Sequence, residues 1–293
     1  MQTVAPSSTR RSVRVALWVL AVGVAAGSAA YQRLTGPTVS LRGQITLDGV
    51  SHKYRLPRSG VSTVDRAVRV PRPRAVLDGA LEYRRLRSDD AWQRVAMAPE
   101  GDRLVGHLPR QPAAGKLEYS VILRTTEGER RLPEGREVVM RFKNPVPAWL
   151  LIPHIILMFT ALLVGTRAGL GALWAPEGLR RLTLITVSAL TLGGLVLGPI
   201  VQKLAFEQLW AGFPFGKDFT DDKTLVMWLV WVAAAFVVRR VNTGARRVRA
   251  AALVAAVVML GIYLVPHSVR GSELNYRLVD QGVAPAEAVT TGR

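Results

Sequence analysis

The chain contains no cysteine. This excludes a disulfide framework, a thiolate nucleophile, cysteine-ligated zinc and an iron–sulfur cluster, and it leaves the redox compartment open. Acids are scarce, 21 against 39 basic residues, so the formal net charge is +18, and histidine occurs only four times. Such a surplus raises nucleic acid as a partner, but the placement of charge matters more than its sum. The basic residues flank apolar segments or scatter through the polar part, with no basic run interleaved with stacking aromatics. Nucleic acid is therefore not the expected partner. No Gly-x-Ser-x-Gly elbow and no His-Glu-x-x-His helix occurs, so two familiar hydrolytic signatures are missing.

Long apolar runs are what the chain does have. Hydrophobic residues make up 49% of its 293 positions and the mean hydropathy is +0.20. That value suits apolar spans in one part and ordinary polar sequence in another, in a chain with room for about two domains. The first run, Val15 to Tyr31, follows Arg10, Arg11 and Arg14. At ~1.5 Å per residue it just crosses a hydrocarbon core of ~30 Å. Ser28-Ala29-Ala30 keeps a cleaved signal peptide as the alternative; the length of the run favours a retained anchor, with residues 1–31 forming the cytoplasmic segment and span.

Residues 32–147 form a polar block without a long apolar stretch. Leu117, Tyr119, Val121 and Leu123 alternate with Glu118, Ser120 and Arg124, and Val138, Met140 and Phe142 alternate with Val139 and Arg141. This period of two marks half-buried strands. Asp48-Gly49, Pro71-Arg72-Pro73, Asp78-Gly79, Gln111-Pro112 and Glu127-Gly128 supply turns between them. Short strands at such intervals predict a small β-sandwich. The order Leu81-Glu82-Tyr83, Trp92, Leu108-Pro109 and Gly115-Lys116-Leu117-Glu118-Tyr119 resembles fibronectin type III and immunoglobulin-like modules, over about half of the block.

Four further spans follow, at 148–166, 182–202, 224–238 and 250–266, within a membrane unit covering 148–270. The last two are short for a span of ~20 residues. The connection holding Arg167, Arg180 and Arg181 carries one acid, Glu177, and the connection holding Arg239, Arg240, Arg246, Arg247 and Arg249 carries none. Both are thus expected on the cytoplasmic side. The β domain, the 205–223 loop and the 271–293 tail then share the outer face. The expected fold is a membrane α-helical bundle plus an all-β extracytoplasmic domain: an N-terminal anchor, an immunoglobulin- or fibronectin-like sandwich and a four-helix transmembrane unit. Its expected place is a bacterial inner membrane, with the N-terminus cytoplasmic and the C-terminus periplasmic.

That topology gathers the chemistry-bearing residues in one shallow outer layer. His154 lies about two turns inside its span after Pro153, and His267 follows Pro266 where the last span ends. The loop between them in sequence carries Asp218, Asp221 and Asp222, and the tail carries Glu273. Ionisable residues at membrane depth are functional candidates by default. Asp221 and Asp222 also suit the first turn of a helix capped by Thr220, which leaves Asp218 without a capping role.

Three readings of this layer stay open. In the structural one, His154 is satisfied by a neighbouring group and the loop and tail close the bundle. In the second, His154 and His267 ligate haem b or copper, with Met158 and Met227 as soft thioether donors. In the third, a histidine and a carboxylate carry out interfacial hydrolysis. Gly194-Leu-Val-Leu-Gly198 adds a small-xxx-small pattern that predicts a close helix contact.

Pro153-His154, the loop from Phe213-Pro-Phe-Gly-Lys-Asp-Phe-Thr-Asp-Asp-Lys to Thr224, and Pro266-His267-Ser268 with Gly271-Ser272-Glu273 together resemble a set of bacterial envelope polytopic membrane proteins. The resemblance spans most of the chain and transfers no mechanism. The leading expectation is a non-enzymatic envelope protein in the lipid bilayer whose ectodomain binds a protein partner.

Overall fold

The computed structural model describes residues 8–240, 245–265 and 271–291. They divide into two compact units. One is helical, built on residues 8–36, 147–201 and 212–265; the other is β-rich, built on 37–146, 202–211 and 271–291.

The helical unit comprises α1 (Ser8–Thr35), α2 (Ala148–Trp174), α3 (Leu179–Ala189), a π-helical segment (Leu190–Leu197), α4 (Gly198–Phe206), α5 (Phe219–Arg240) and α6 (Arg246–Leu264). Four helices are long and apolar enough to cross a membrane: Arg11–Thr35, Ala148–Trp174, Leu179–Phe206 as one continuous rod, and Arg246–Leu264. The span expected at 224–238 is the apolar middle of α5, which opens on Asp221 and Asp222 and closes on Arg239 and Arg240. The span expected at 148–166 continues to Trp174, so Arg167 lies inside α2 and is buried.

Side-chain size is distributed inside-out relative to a water-soluble bundle. The buried cluster is rich in alanine, including Ala161, Ala168, Ala234, Ala252 and Ala255. Ile152, Ile156, Val196, Leu229 and Val257 point outward and are exposed. Hydrocarbon is as apolar as leucine, so helices in lipid associate through small residues that let backbones approach, not by hiding large ones. A Cβ at Gly169 of α2 would overlap the Ala256 Cβ of α6, and one at Gly193 would sit 2.7 Å from Leu157 Cβ. The close contact predicted around Gly194 is present, since a Cβ there would lie 2.6 Å from Thr224 Cγ2 of α5. Helix α1 packs a stripe of Leu17, Ala21, Ala25 and Ser28 inward at helical spacing, against α2 and α6.

In the β-rich unit, β1 (Leu41–Leu47) and β2 (Val50–Leu56) form a hairpin closed by Asp48-Gly49, with φ of 51° and 74°. Positive φ at both loop positions is the requirement of a type I′ turn, which Asp-Gly meets. Then come β3 (Ser59–Val61), β4 (Arg66–Pro71), β5 (Val76–Arg85), β6 (Gln93–Ala96), β7 (Ala98–Glu100), β8 (Arg103–Leu108), β9 (Lys116–Thr125), β10 (Gly128–Leu132) and β11 (Val138–Lys143). One sheet runs β3-β11-β9-β5-β6 with β10 also on β9, and a second runs β4-β8-β7. The alternating residues read from the sequence do face the core. Leu117, Tyr119, Val121 and Leu123 of β9 join Val138, Met140 and Phe142 of β11 in a cluster with Val68 and Val70 of β4 and Leu104 and Leu108 of β8. Each such side chain contributes about 1.5–3 kcal/mol by burial, set against the entropy of ordering the chain.

Trp92 is outside this core: it is exposed, with the Arg84 guanidinium 4.6 Å from its ring centroid. The buried strand tryptophan of antibody-type domains is therefore not reproduced. The C-terminal residues are not a loose tail either. Strands β12 (Ser272–Leu274) and β13 (Val289–Thr291) pair, and α7 (Tyr276–Asp280) lies between them. Arg85 grips Asp280 at 2.7 and 2.9 Å, and the Tyr276 hydroxyl accepts from the Lys116 N–H at 2.9 Å.

Candidate functional site

The three aspartates of the predicted outer layer serve the backbone at the opening of α5. Asp218, not Thr220, is the N-cap of α5: its Oδ1 accepts from Thr220 N–H at 2.8 Å. Asp221 Oδ2 accepts from Gly212 N–H at 3.0 Å and Asp222 Oδ1 from Phe213 N–H at 2.7 Å, folding the loop back onto the first turn of α5. A Cβ at Gly212 would lie 2.6 Å from Asp221 Cβ, so glycine permits that closure. Sequence reasoning missed these bonds because they span nine residues.

His154 is half-buried, and its Nδ1 lies 2.8 Å from the Gly193 carbonyl. Gly193 O already receives the Gly198 N–H as part of the π-helical ladder, so the histidine N–H is a second donor to one oxygen. That bond fixes the ring orientation with Nδ1 protonated. Met158 packs at the margin of the helical core and Met227 is buried within it. Glu273 belongs to the β-rich unit, where it pairs with Lys116 at 2.6 Å and Arg87 at 3.1 Å. Burial pushes the Lys116 ammonium down from its ordinary range while Glu273 opposes the shift. His267 lies outside the described residues. Among the described residues, no three of His, Asp and Glu gather in a way that would hold a metal ion.

A different constellation is concentrated. Strand alternation turns Gly43, Ile45 and Leu47 of β1 and Tyr54 and Leu56 of β2 toward the core, and leaves Arg42, Gln44, Lys53 and Arg55 outward. The antiparallel register sets Arg42 opposite Arg55 and Gln44 opposite Lys53. With Arg66 and Arg69 of β4 and Arg103 of β8, these residues border a cavity of about 880 Å³. Six cations thus line it against a single acid, Asp102, whose carboxylate lies 3.8 Å from Arg103. Among the described residues, Arg42, Lys53, Arg55, Arg66 and Arg69 form no ion pair.

Several acids of this unit pair away from the cavity. Glu118 pairs with Arg84, Asp90 with Arg85, Asp78 with Arg124, and Glu82 with both Arg94 and Arg131, all on the β5–β9 side. At the cavity Tyr54 is 9% exposed, and burial raises its phenol above the ordinary value. A Cβ at Gly43, directly across the ladder, would overlap the Tyr54 ring, so glycine there lets the ring lie flat over the strand.

Like charges directly opposed across strands destabilise a sheet, whereas opposite charges contribute about 0.2–1 kcal/mol. The Arg42–Arg55 pair therefore carries a cost that an anion placed between the two guanidiniums would reverse. Guanidinium forks fit carboxylate oxygens two at a time. Six cations against one acid suit the cavity to recognition of negative charge. The sequence signal was available in the outward positions of β1, β2 and β4, but only the packing of the β1–β2 hairpin beside β4 brings them together.

Comparison with protein-family models, with curated protein sequences and with solved structures gave no match to this chain.

Proposed function

We propose that the chain is a non-enzymatic, membrane-anchored binding protein whose β-rich unit captures an acidic segment of a protein partner in the basic cavity. The observation that carries this reading is the segregation of six cations, five of them unpaired among the described residues, around one cavity with a single acid. A polypeptide is favoured over a glycan because Tyr54 is the only aromatic side chain of the cavity and is nearly buried. That leaves no open ring face on which a sugar could stack.

The proposal places the β-rich unit outside a bacterial cytoplasmic membrane. Two lines support it. Arginines flank the connections that follow α2 and α5, with Arg180 and Arg181 opening α3, Arg239 and Arg240 closing α5, and Arg246, Arg247 and Arg249 opening α6, the bias expected of cytoplasmic loops. Residues 37–146, 202–211 and 271–291 also belong to one compact body, and the chain enters and leaves that body at the ends of α1, α2, α4, α5 and α6. The proposal counts α5 as a fifth crossing, beside the four helices that are long and apolar enough to span. The charges flanking α5 sit where interfaces accept them. The buried stripe of α1 supports retention of that helix as an anchor. An immunoglobulin- or fibronectin-like sandwich is part of the same proposal, supported by the single core shared by residues of the β9 and β8 sheets.

The test is site-specific photocrosslinking in native membranes from Gln44, which is exposed at the cavity, with Gln93 as an exposed control. Adducts at Gln44 mapping to an acidic segment of one protein are expected. Equal and unselective adducts at both positions would remove the proposal.

A further inference from the structure

The outer surface of the helical unit carries a groove of about 650 Å³ along α3 and α2, well within the ~300–1,000 Å³ typical of ligand sites. Leu157, Leu184, Ile185 and Leu192 form its walls, and Arg180 and Arg181 stand at one end. From Arg181 to Leu192 is eleven residues, or roughly 16 Å at the helical rise. That is about half of a ~30 Å hydrocarbon core, the depth of one leaflet. An apolar trough one leaflet long with two guanidiniums at its end has the shape and charge of an acyl chain under an anionic headgroup.

The positive-inside bias accounts for basic charge on that side of the membrane but not for its place in the first turn of a helix. The first turn of α3 holds both arginines, has no acid, and lacks a side-chain cap, its N-cap being Gly178 in the left-handed conformation. Basic residues there oppose the helix dipole. Helix α5 does the reverse, with Asp221 and Asp222 in its first turn and Arg239 and Arg240 in its last. Among the described residues, Arg180 and Arg181 form no ion pair and both are exposed.

A second copy of this chain fits the groove poorly. The only acids in α1–α6 are Asp221 and Asp222, and both hold backbone amides at the opening of α5. No helix of a second copy brings a carboxylate to Arg180 and Arg181. A lipid phosphate does so by default.

We propose that the α2–α3 groove is a binding site for an anionic phospholipid, with one acyl chain along Leu157, Leu184, Ile185 and Leu192 and the headgroup phosphate on Arg180 and Arg181. This goes beyond the cavity of the β-rich unit and rests only on membrane residence. Each arginine near an anionic surface adds attraction sufficient, for the pair, to give a preference on the order of thirtyfold over a zwitterionic lipid.

The full chain in nanodiscs, with phosphatidylglycerol or phosphatidylcholine of identical chains, provides the test, bound lipid being counted by native mass spectrometry. Wild type is expected to retain phosphatidylglycerol preferentially. Arg180→Gln with Arg181→Gln is expected to abolish the preference, and Leu184→Trp, which fills the trough, to lose the lipid altogether. Arg239→Gln with Arg240→Gln is the control that keeps both. Equal retention of the two lipids by wild type, or an equal loss of preference in the control pair, would overturn the site. So would a Leu184→Trp chain that changes from dimer to monomer with its lipid count unaltered, which would assign the groove to a second copy.

Discussion

Arg42 and Arg55 occupy register-paired positions on the β1–β2 hairpin, two guanidinium-bearing residues facing outward across one ladder with no acid paired to either among the described residues. Hairpins do not gain stability from such a pair. It makes physical sense where an anion is to be held, and the cavity it borders is otherwise lined by further cations.

Stability and binding should therefore move in opposite directions at this pair. Arg55→Glu converts the like-charge pair into an opposite-charge one and is expected to raise stability by about 0.5 kcal/mol. The same change is expected to weaken binding of an acidic peptide at least tenfold. Denaturant melts and peptide titration on one sample read both effects. A loss in both would mean that Arg55 is a structural residue.

Gly43 tests how the cavity is built. A methyl group there meets the Tyr54 ring, so Gly43→Ala is expected to cost about 1–3 kcal/mol through displacement of a packed side chain. Pairing Gly43→Ala with Tyr54→Leu should recover much of that loss, because the obstructing ring is gone. Thermal melts of the single and double variants decide it.

Asp218 separates capping from chemistry. As an N-cap it should be replaceable by asparagine or serine at little cost, whereas Asp218→Ala should lose about 1 kcal/mol. A site that needs the negative charge would treat asparagine and alanine alike. Unfolding of the full chain in detergent, read for all three variants, distinguishes the two.

The Arg85–Asp90 pair predicts how acid affects the β-rich unit. Arg85 donates to both Asp90 oxygens, at 2.6 and 2.7 Å, and also holds Asp280 of α7. The first of these contacts is the main cause that keeps the Asp90 carboxyl below its ordinary value of 3.8. A carboxyl depressed on folding contributes stability that is complete above the unfolded value and lost as pH falls through the folded one. Stability should hold from neutral pH to about 4 and then decline, and Asp90→Asn should lower the neutral plateau and flatten that decline. Urea melts between pH 2 and 7 give the profile.

Much of the fold was legible because its signals are local. Alternation identified β9 and β11, Asp48-Gly49 identified the first hairpin, and uninterrupted apolar length identified the membrane helices. Helix ends were less legible: Arg167 reads as the end of a span, yet α2 continues past it to Trp174 with the arginine buried and its guanidinium 5.5 Å from the Trp18 ring centroid. At the opening of α5 the sequence pointed to helix-end roles for Asp221 and Asp222 and left Asp218 without one, whereas all three accept from backbone amides, which no side-chain pattern advertises. The pairing of Glu273 with Lys116 was equally illegible, because the two are 157 positions apart. The basic cavity was invisible as a run of charge because its members sit on four strands, separated by inward-facing residues, and only the pairing of β1 with β2 and of β4 with β8, with β2 packed beside β4, assembles them.

The central claim is that the cavity bordered by Arg42 and Arg55 binds an acidic polypeptide, and the most direct measurement is fluorescence anisotropy of a labelled polyglutamate peptide with the full chain in nanodiscs. Exposed charges are screened within about 8 Å at 0.15 M salt and about 3 Å at 1 M. The account predicts saturable binding that weakens steeply with salt, falls at least tenfold in Arg42→Ser with Arg55→Ser, and is unchanged in Arg124→Ser, whose guanidinium is paired with Asp78. Peptide binding of equal strength in all three proteins, or a polyphosphate probe binding where polyglutamate does not, would contradict it.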